Sequence, residues 1–539
     1  MKPPAAHRMA PSLIVLGVLG ACEPQPAFVG VRFPDSFSFG TANAAWQVCG
    51  DQGVAGPVES NWSRWAAMGR IAGGQSNAVG NRFCEIYDEE FDRSVELGLG
   101  VFRLSADWPR IEPERGVFID AELDALVDQL EAARARGLEP VLTLYHWAVP
   151  LWVQNPDPDW PGGRVDLLAD RHSDVDQAFD TYVRRIIPRV KHLVDTYTVL
   201  NEPLSVISAG YLNGLFPPGR VLDIAGAASV GINLVHMQAR AYDAIHALDD
   251  VDADGRDGPC WVGLTMTANA FDPVDSGNRA QVFGAKRISY LFNDWIMNAL
   301  TSGALDVDLD GRVDNPDTDP PERVDAALRG RMDFVGVQYY GPVRVDDHEL
   351  FVDFFPMYGL PLLDVQHYAP ALPHNGMGRE IRAAGLRDTL ELYAQWKLPI
   401  VITENGTTTN LRPVRDDTGT VLELPRAPEQ AAMYLVEHLW ELGRAIDRGI
   451  DVRGYYHWTL SDNFEWAEGT DQRFGAYSVD VEDPLMPRTR NAMGDALAEV
   501  ARARGIDEAL WSRHVRDRYP SDTRAGGEPR WTVSENPWQ

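Results

Sequence analysis

Cysteine is scarce in this chain, with 4 in 539 residues. No two are spaced Cys-x-x-Cys, which argues against a thiolate metal site. Cys22 ends an N-terminal apolar run; Cys49, Cys84 and Cys260 are an odd set, so at least one is unpaired within the chain. One disulfide is permitted, and the pair is open. Basic residues are also few: 49 Lys and Arg stand against 79 Asp and Glu, a net charge of −30. That balance opposes binding to nucleic acid or to an anionic membrane surface. Long hydrophobic runs are missing, so no segment reaches the roughly 18 residues of a transmembrane helix. Repeats of solenoid length and low-complexity blocks are missing too.

What is present describes a globular protein. Hydrophobic residues make up 45% and charged residues 24% of the chain, ordinary values that leave room for one large domain with long loops. Lys2 and Arg8 precede an apolar run from Ser12 to Ala21, the pattern of a secretory signal too short to span a bilayer. Leu19-Gly20-Ala21-Cys22 resembles the lipobox of bacterial lipoproteins. That resemblance implies cleavage before Cys22, acylation of its thiol and a lipid-anchored position in the bacterial cell envelope. An ordinary signal peptide with a chance cysteine is the other reading.

The chain is organised around Pro399-Ile400-Val401-Ile402-Thr403-Glu404-Asn405-Gly406. Its apolar, β-branched run reads as a strand buried on both faces, closed by an Asn-Gly turn. Glu404 sits at the end of that strand, where a carboxylate costs several kcal/mol of desolvation unless something uses it. Thr198-Val199-Leu200-Asn201-Glu202-Pro203 repeats the layout. Two strand-end glutamates are what a retaining glycosidase needs.

Eight strands are expected, at 37–40, 101–105, 141–145, 196–201, 261–267, 334–339, 399–403 and 454–459. Helical periodicity lies between them, at 85–97, 121–136, 234–248 and 428–448. This alternation predicts an α/β fold, a (β/α)₈ TIM barrel forming a single catalytic domain with long loops. The expected organisation is a signal peptide over 1–22, a tether over 23–30, the barrel over 31–505 and a tail over 506–539 lying on the barrel.

The motifs fall at the strand C-termini, where such a barrel keeps its chemistry. They are Trp46-Gln47, Phe102-Arg103-Leu104-Ser105, Leu144-Tyr145-His146-Trp147, Asn201-Glu202-Pro203, Gln338-Tyr339-Tyr340, Thr403-Glu404-Asn405-Gly406 and Trp458 through Glu465-Trp466. Together and in this order they resemble glycoside hydrolase family 1, the β-glucosidase family, over residues 33 to about 495. Three positions depart from its pattern: Cys49 for the usual Glu, Ala148 for Asp and Gln338 for Asn.

The resemblance implies a retaining β-glycosidase acting on a terminal β-linked hexose of a glucoside or oligosaccharide. Glucose is the first expectation, with galactose or fucose as options, and catalysis needs no cofactor. Glu404 would be the nucleophile and Glu202 the acid/base. Arg103 and Tyr340 would hold Glu404 ionised, and Asn201 would bind the sugar 2-hydroxyl. Gln47, His146, Trp147, Gln338, Glu465 and Trp466 would bind the sugar, with Trp458 under its apolar face. Glu465 would repel a 6-phosphate. A transglycosidase using the same pair, and a non-catalytic sugar-binding lipoprotein, are the alternatives.

Two acidic stretches carry the D-x-D-x-D-G spacing of calcium loops. One offers Asp306, Asp308, Asp310, Asp314 and Asp317, and the weaker one Asp250, Asp252 and Asp254. Solvated acidic loops are the plain alternative. A structural calcium is expected at the N-terminal face of the barrel, serving stability.

Overall fold

The structure, a computed structural model, describes residues 28–161, 163–255, 258–345, 374–415 and 421–516. Cys22, its signal and residues 517–539 of the tail lie outside the described residues. Eight parallel strands close into a barrel: β1 Ser38–Ala42, β2 Val101–Ser105, β3 Glu139–Tyr145, β4 Thr196–Asn201, β5 Trp261–Thr267, β6 Phe334–Gln338, β7 Ile400–Asn405 and β8 Val452–His457. Each strand pairs with its neighbour in sequence, and β8 closes on β1 with His457 opposite Thr41.

Helices cover the outside: α1 Phe83–Glu96, α2 Asp120–Ala135, α3 Val175–Val190, α4 Ile224–Leu248, α5 Arg279–Ser289, α6 Trp295–Ser302, α7 Ala384–Tyr393, α8 Pro428–Asp447 and α9 Ala492–Ala503. The inward apolar stripe is seen in α3, whose Phe179, Tyr182, Val183, Ile186 and Ile187 are all fully buried. Strands enclosed this way are buried on both faces, and all six residues of β7 are buried. Among the described residues, no helix is long and apolar enough to cross a membrane.

The structure revises several sequence expectations. Helix α4 starts at Ile224, ten residues before the expected 234. Asp223 caps it by accepting from the Gly226 amide at 2.9 Å. Its glycines are packing devices, because a Cβ on Gly231 would lie 2.1 Å from the Trp295 ring. Strand β7 runs on through Glu404 and Asn405. Asn405 is a buried buttress rather than an open turn residue: its amide donates to the Tyr339 carbonyl and the Tyr434 hydroxyl. Gly406 is needed for closeness, since a Cβ there would meet the Trp458 carbonyl at 2.0 Å. Strand β8 ends at His457, two residues before the expected end, and Trp458 begins the loop.

The cysteine pair left open by the sequence is Cys49–Cys84, with Cys260 free and buried. This gives a reason for the departure at Cys49: the residue ties the turn after β1 to α1, 35 positions away. Beyond 505 the chain keeps regular structure. Gly505–Ile506 pairs antiparallel with Val31–Arg32, and Trp511 packs on Trp440 and Phe28.

Candidate active site

Register brings the two glutamates to one end of the barrel. Asn201 on β4 lies opposite Thr265 on β5, and Gln338 on β6 lies opposite Glu404 on β7. Glu202 follows directly, its amide donating to the Thr265 carbonyl at 2.9 Å. Its backbone is left-handed, with φ 42°, as the chain turns from β4 into the short helix opened by Pro203. Trp147 at φ 71° and Trp466 at φ 46° share that strained conformation. Strain of about 1–3 kcal/mol per residue persists only where the surroundings over-determine it.

Glu404 is held by charge. Arg103 on β2, fully buried, donates to Glu404 Oε1 at 2.5 Å and to Asn201 Oδ1 at 2.6 Å. The Tyr340 hydroxyl donates to Glu404 Oε2 at 2.8 Å. Burial outweighs the lowering expected of Arg103 and leaves this carboxyl above the ordinary range. Arg103, Tyr340 and Gln338 pull the other way.

Glu202 is bonded by hydroxyls. Ser205 Oγ donates to its Oε2 at 2.7 Å, and Thr267 also bonds it. Burial, and then the charge of Glu404, push its carboxyl up to about 7. The Arg103 guanidinium on Glu404 is a contact that favours an ionised carboxylate. Environments that push two carboxyls to different protonation states assign acid and nucleophile roles.

Asn201 is the hinge between them. Its Oδ1 accepts from Arg103, from Gln338 Nε2 at 2.9 Å and from Thr265 Oγ1 at 3.0 Å. That leaves the amide N–H₂ to reach a hydroxyl. Trp147, expected among the sugar ligands, commits its indole N–H to the Asn201 carbonyl at 2.9 Å. It positions Asn201 instead.

The remaining expected ligands gather opposite. Gln47 Nε2 donates to the Phe464 carbonyl at 2.8 Å and reaches Glu465 Oε2 at 3.4 Å. His146 stacks on Trp466 with centroids 5.7 Å apart, and burial lowers its pKa well below the ordinary value, so the imidazole is neutral. Trp458 bonds the Glu465 carboxyl. Burial raises Glu465 to about 8, so at neutral pH it is mostly uncharged. The expected repulsion of a 6-phosphate by Glu465 therefore does not follow. Gln47 Oε1, His146 Nδ1 and Gln338 Oε1 are buried and find no hydrogen-bond partner in the protein. Orphaned polar atoms cost about 1–3 kcal/mol each, which makes these three candidates to bond sugar hydroxyls.

Sequence reading missed the wall behind these groups. Trp46 stacks on Trp466 at 5.5 Å, and Trp62 meets Trp466 at 4.6 Å. It also missed Ser205, Thr265, Thr267 and Arg379. Hydroxyls on a strand or a short helix and a lone arginine in a loop carry no pattern of their own; only register and chain return bring them in.

The calcium ligand sets are regrouped. Asp306 and Asp308 meet Glu322, with one oxygen from each within 4.8 Å of the others, and Asp310, Asp314 and Asp317 are not in that group. Glu322 instead accepts the amides of Val307, Asp308, Asp314 and Asn315. This loop also leaves the N-terminal face. It doubles back along α5 and α6, where Tyr290 donates to Asp306 Oδ2 at 2.6 Å and Trp295 to the Asp306 carbonyl at 2.7 Å. In the other loop Asp250 pairs with Lys191, while Asp252 and Asp254 meet Asp195, just before β4 at the N-terminal face. Either trio offers carboxylate oxygens suited to one divalent cation.

Comparison with known proteins agrees with this geometry. The family model described as Glycosyl hydrolase family 1 matches residues 30–506. A β-glucosidase from Agrobacterium sp. is 30% identical over 466 residues, covering 85% of this chain and 93% of that one. A β-galactosidase from Sulfolobus acidocaldarius is 26% identical over 522 residues, covering 89% and 97%. Among solved structures, a family 1 β-glucosidase from Thermotoga maritima in complex with isofagomine lactam superposes with a TM-score of 0.72 at 25% identity, covering 89% of this chain and 100% of that one.

Proposed function

The chain belongs to glycosyl hydrolase family 1 and is a retaining β-glycosidase; from that premise we propose that Glu404 is its nucleophile, Glu202 its acid/base, and a terminal β-glucoside or β-galactoside its substrate. The observation that carries the assignment is the asymmetry of the pair. Glu404 lies against a buried guanidinium and a phenol, and Glu202 is bonded by the hydroxyls of Ser205 and Thr267. In the first step Glu404 attacks the anomeric carbon as Glu202 protonates the leaving oxygen. Esterification of Glu404 removes the charge that raised Glu202, which then ionises and activates water. The Asn201 amide holds the sugar 2-hydroxyl, a contact that strengthens in the transition state. Gln47, His146 and Glu465 take the other hydroxyls, and Trp458 lies beneath the ring.

The test is a panel of aryl β-glycosides assayed on the protein lacking residues 1–22. Cleavage of the β-glucoside or β-galactoside with first formation of the β-anomer is expected. First formation of the α-anomer would refute the retaining assignment. The two relatives named for different sugars support both glycones.

The same protein is proposed to be exported and lipid-anchored through Cys22. The Cys49–Cys84 disulfide supports export, because such bonds persist in oxidising compartments. Mass spectrometry of the membrane fraction should find an N-terminal diacylglyceryl-Cys22; an unmodified Cys22 there would end the proposal.

A further inference from the structure

The side chains that would hold sugar hydroxyls come from stretches far apart in the chain. Gln47 rides on the short helix Ala45–Cys49, and Glu465 and Trp466 lie in the loop after β8. A helix of 5 residues is too short to be stable alone, and this one has no side-chain cap at its N-terminus. Its place therefore depends on what it is tied to. The Ala45 amide donates to Ser105 Oγ at the end of β2 at 2.8 Å, and Arg110 donates to the Gly50 carbonyl at 2.8 Å. A third tie is the chain's own return.

The chain leaves the short helix at Gly50 and comes back over it at residues 77–81. Asn77 Nδ2 donates to the Trp46 carbonyl at 2.6 Å, the Asp51 amide to the Asn77 carbonyl at 2.9 Å, and the Asn81 amide to the Val48 carbonyl at 3.0 Å. The approach is close, since a Cβ on Gly80 would lie 2.2 Å from the Val48 carbonyl carbon. The same returning segment grips the loop of Glu465 and Trp466. Asn81 Nδ2 donates to the Asp462 carbonyl at 3.0 Å, and Gln75 Oε1 accepts from the Thr470 amide at 2.8 Å. Residues 75–82 form neither helix nor strand, so no ladder of their own holds them in place. Directly beyond them Cys84, in the first turn of α1, is bonded to Cys49, the last residue of the short helix.

A covalent bond at that point closes a clamp. It pins the returning segment against the helix of Gln47 and, through Asn81 and Gln75, the loop of Glu465 and Trp466 against both. We infer that the Cys49–Cys84 disulfide is a positioning element of the glycosidase site, which aligns Gln47 with Glu465 and Trp466 for the sugar hydroxyls. Glu202 and Glu404 are held instead by Ser205, Thr267, Arg103 and Tyr340. Loss of the disulfide should therefore weaken sugar binding and leave the two-carboxyl chemistry in place. The inference rests on the β-glycosidase reading above and deepens it.

The experiment compares wild type with the double variant Cys49→Ala/Cys84→Ala, well below the melting temperature of both. KM and kcat are measured on 4-nitrophenyl β-glucoside, together with the inhibition constant of a competitive iminosugar and the pH profile of kcat. KM and the inhibition constant should each rise about tenfold, the scale of one lost hydrogen bond, while kcat falls by less than about threefold. Both limbs of the pH profile should stay where they are. Should the double variant not fold, wild type reduced with dithiothreitol and alkylated with iodoacetamide is read in the same way. A lowered melting temperature with KM and the inhibition constant unchanged would overturn the inference, because the disulfide would then only stabilise the fold. So would a reduced wild type that unfolds. A wild type inert on every aryl β-glycoside would overturn the β-glycosidase reading as well, which separates the two failures.

Discussion

Replacing Glu404 with Gln should lower kcat by at least about 10⁴-fold, the scale on which enzymes lose activity with their nucleophile. The fold should survive, because Gln keeps the volume, an oxygen for Arg103 and an N–H₂ that can donate to the Tyr340 hydroxyl oxygen. Glu404→Ala should lose as much activity and, in addition, stability. Both variants remove the anion, but only Ala leaves Arg103, which has no exposed surface, facing a cavity with no acceptor at all. Breaking a buried pair in this way costs about 3–5 kcal/mol. The two variants therefore separate chemistry from packing: equal loss of rate, unequal loss of melting temperature. Substantial turnover by a well-folded Glu404→Gln enzyme would remove Glu404 from the nucleophile role.

Glu202→Ala should behave differently on different substrates. With a poor leaving group the first step loses its acid, and the rate should fall by about 10²–10⁴-fold. With an activated aryl leaving group the first step needs little help, so the glycosyl-enzyme should form and then wait for a base. Azide needs no base, and adding it should restore turnover and yield the β-glycosyl azide. Absence of both rescue and the azide product would refute the acid/base assignment. The pH profile carries the same prediction. The acid must be protonated in the free enzyme, so kcat/KM for wild type should fall as pH rises through about 7. The nucleophile must be ionised, so activity should also fall as pH drops through the pKa of Glu404, which burial places above the ordinary carboxylate range. Both limbs belong to the coupled pair. Glu202→Ala on an activated substrate should lose the upper limb and keep the lower.

Much of this was legible without coordinates. Local signals are short-range, and the chain carries them strongly. The β-branched run of β7, the helical spacing of α8 and the strand-end positions of Glu202 and Glu404 depend on neighbours within one turn or one strand. The helix start at Ile224 was not legible, because glycine reads as a breaker until Trp295 is seen to need the space at Gly231. The choice of Cys84 as partner for Cys49 was not legible either, since α1 returns to β1 only in three dimensions.

The sequence by itself determined the barrel, the two strand-end carboxyls and most of the side chains around them. The tertiary structure decided what surrounds each carboxyl, a guanidinium and a phenol at Glu404 and hydroxyls at Glu202. It assigned Trp147 to the Asn201 carbonyl, replaced Asp310, Asp314 and Asp317 with Glu322 in the acidic loop, and brought Arg379 over Tyr340. The reason is physical. Periodicity and propensity are properties of consecutive residues, whereas burial, the field of a charge and a hydrogen-bond partner depend on distances in space. Those distances are set only when strands far apart in the chain close on one another.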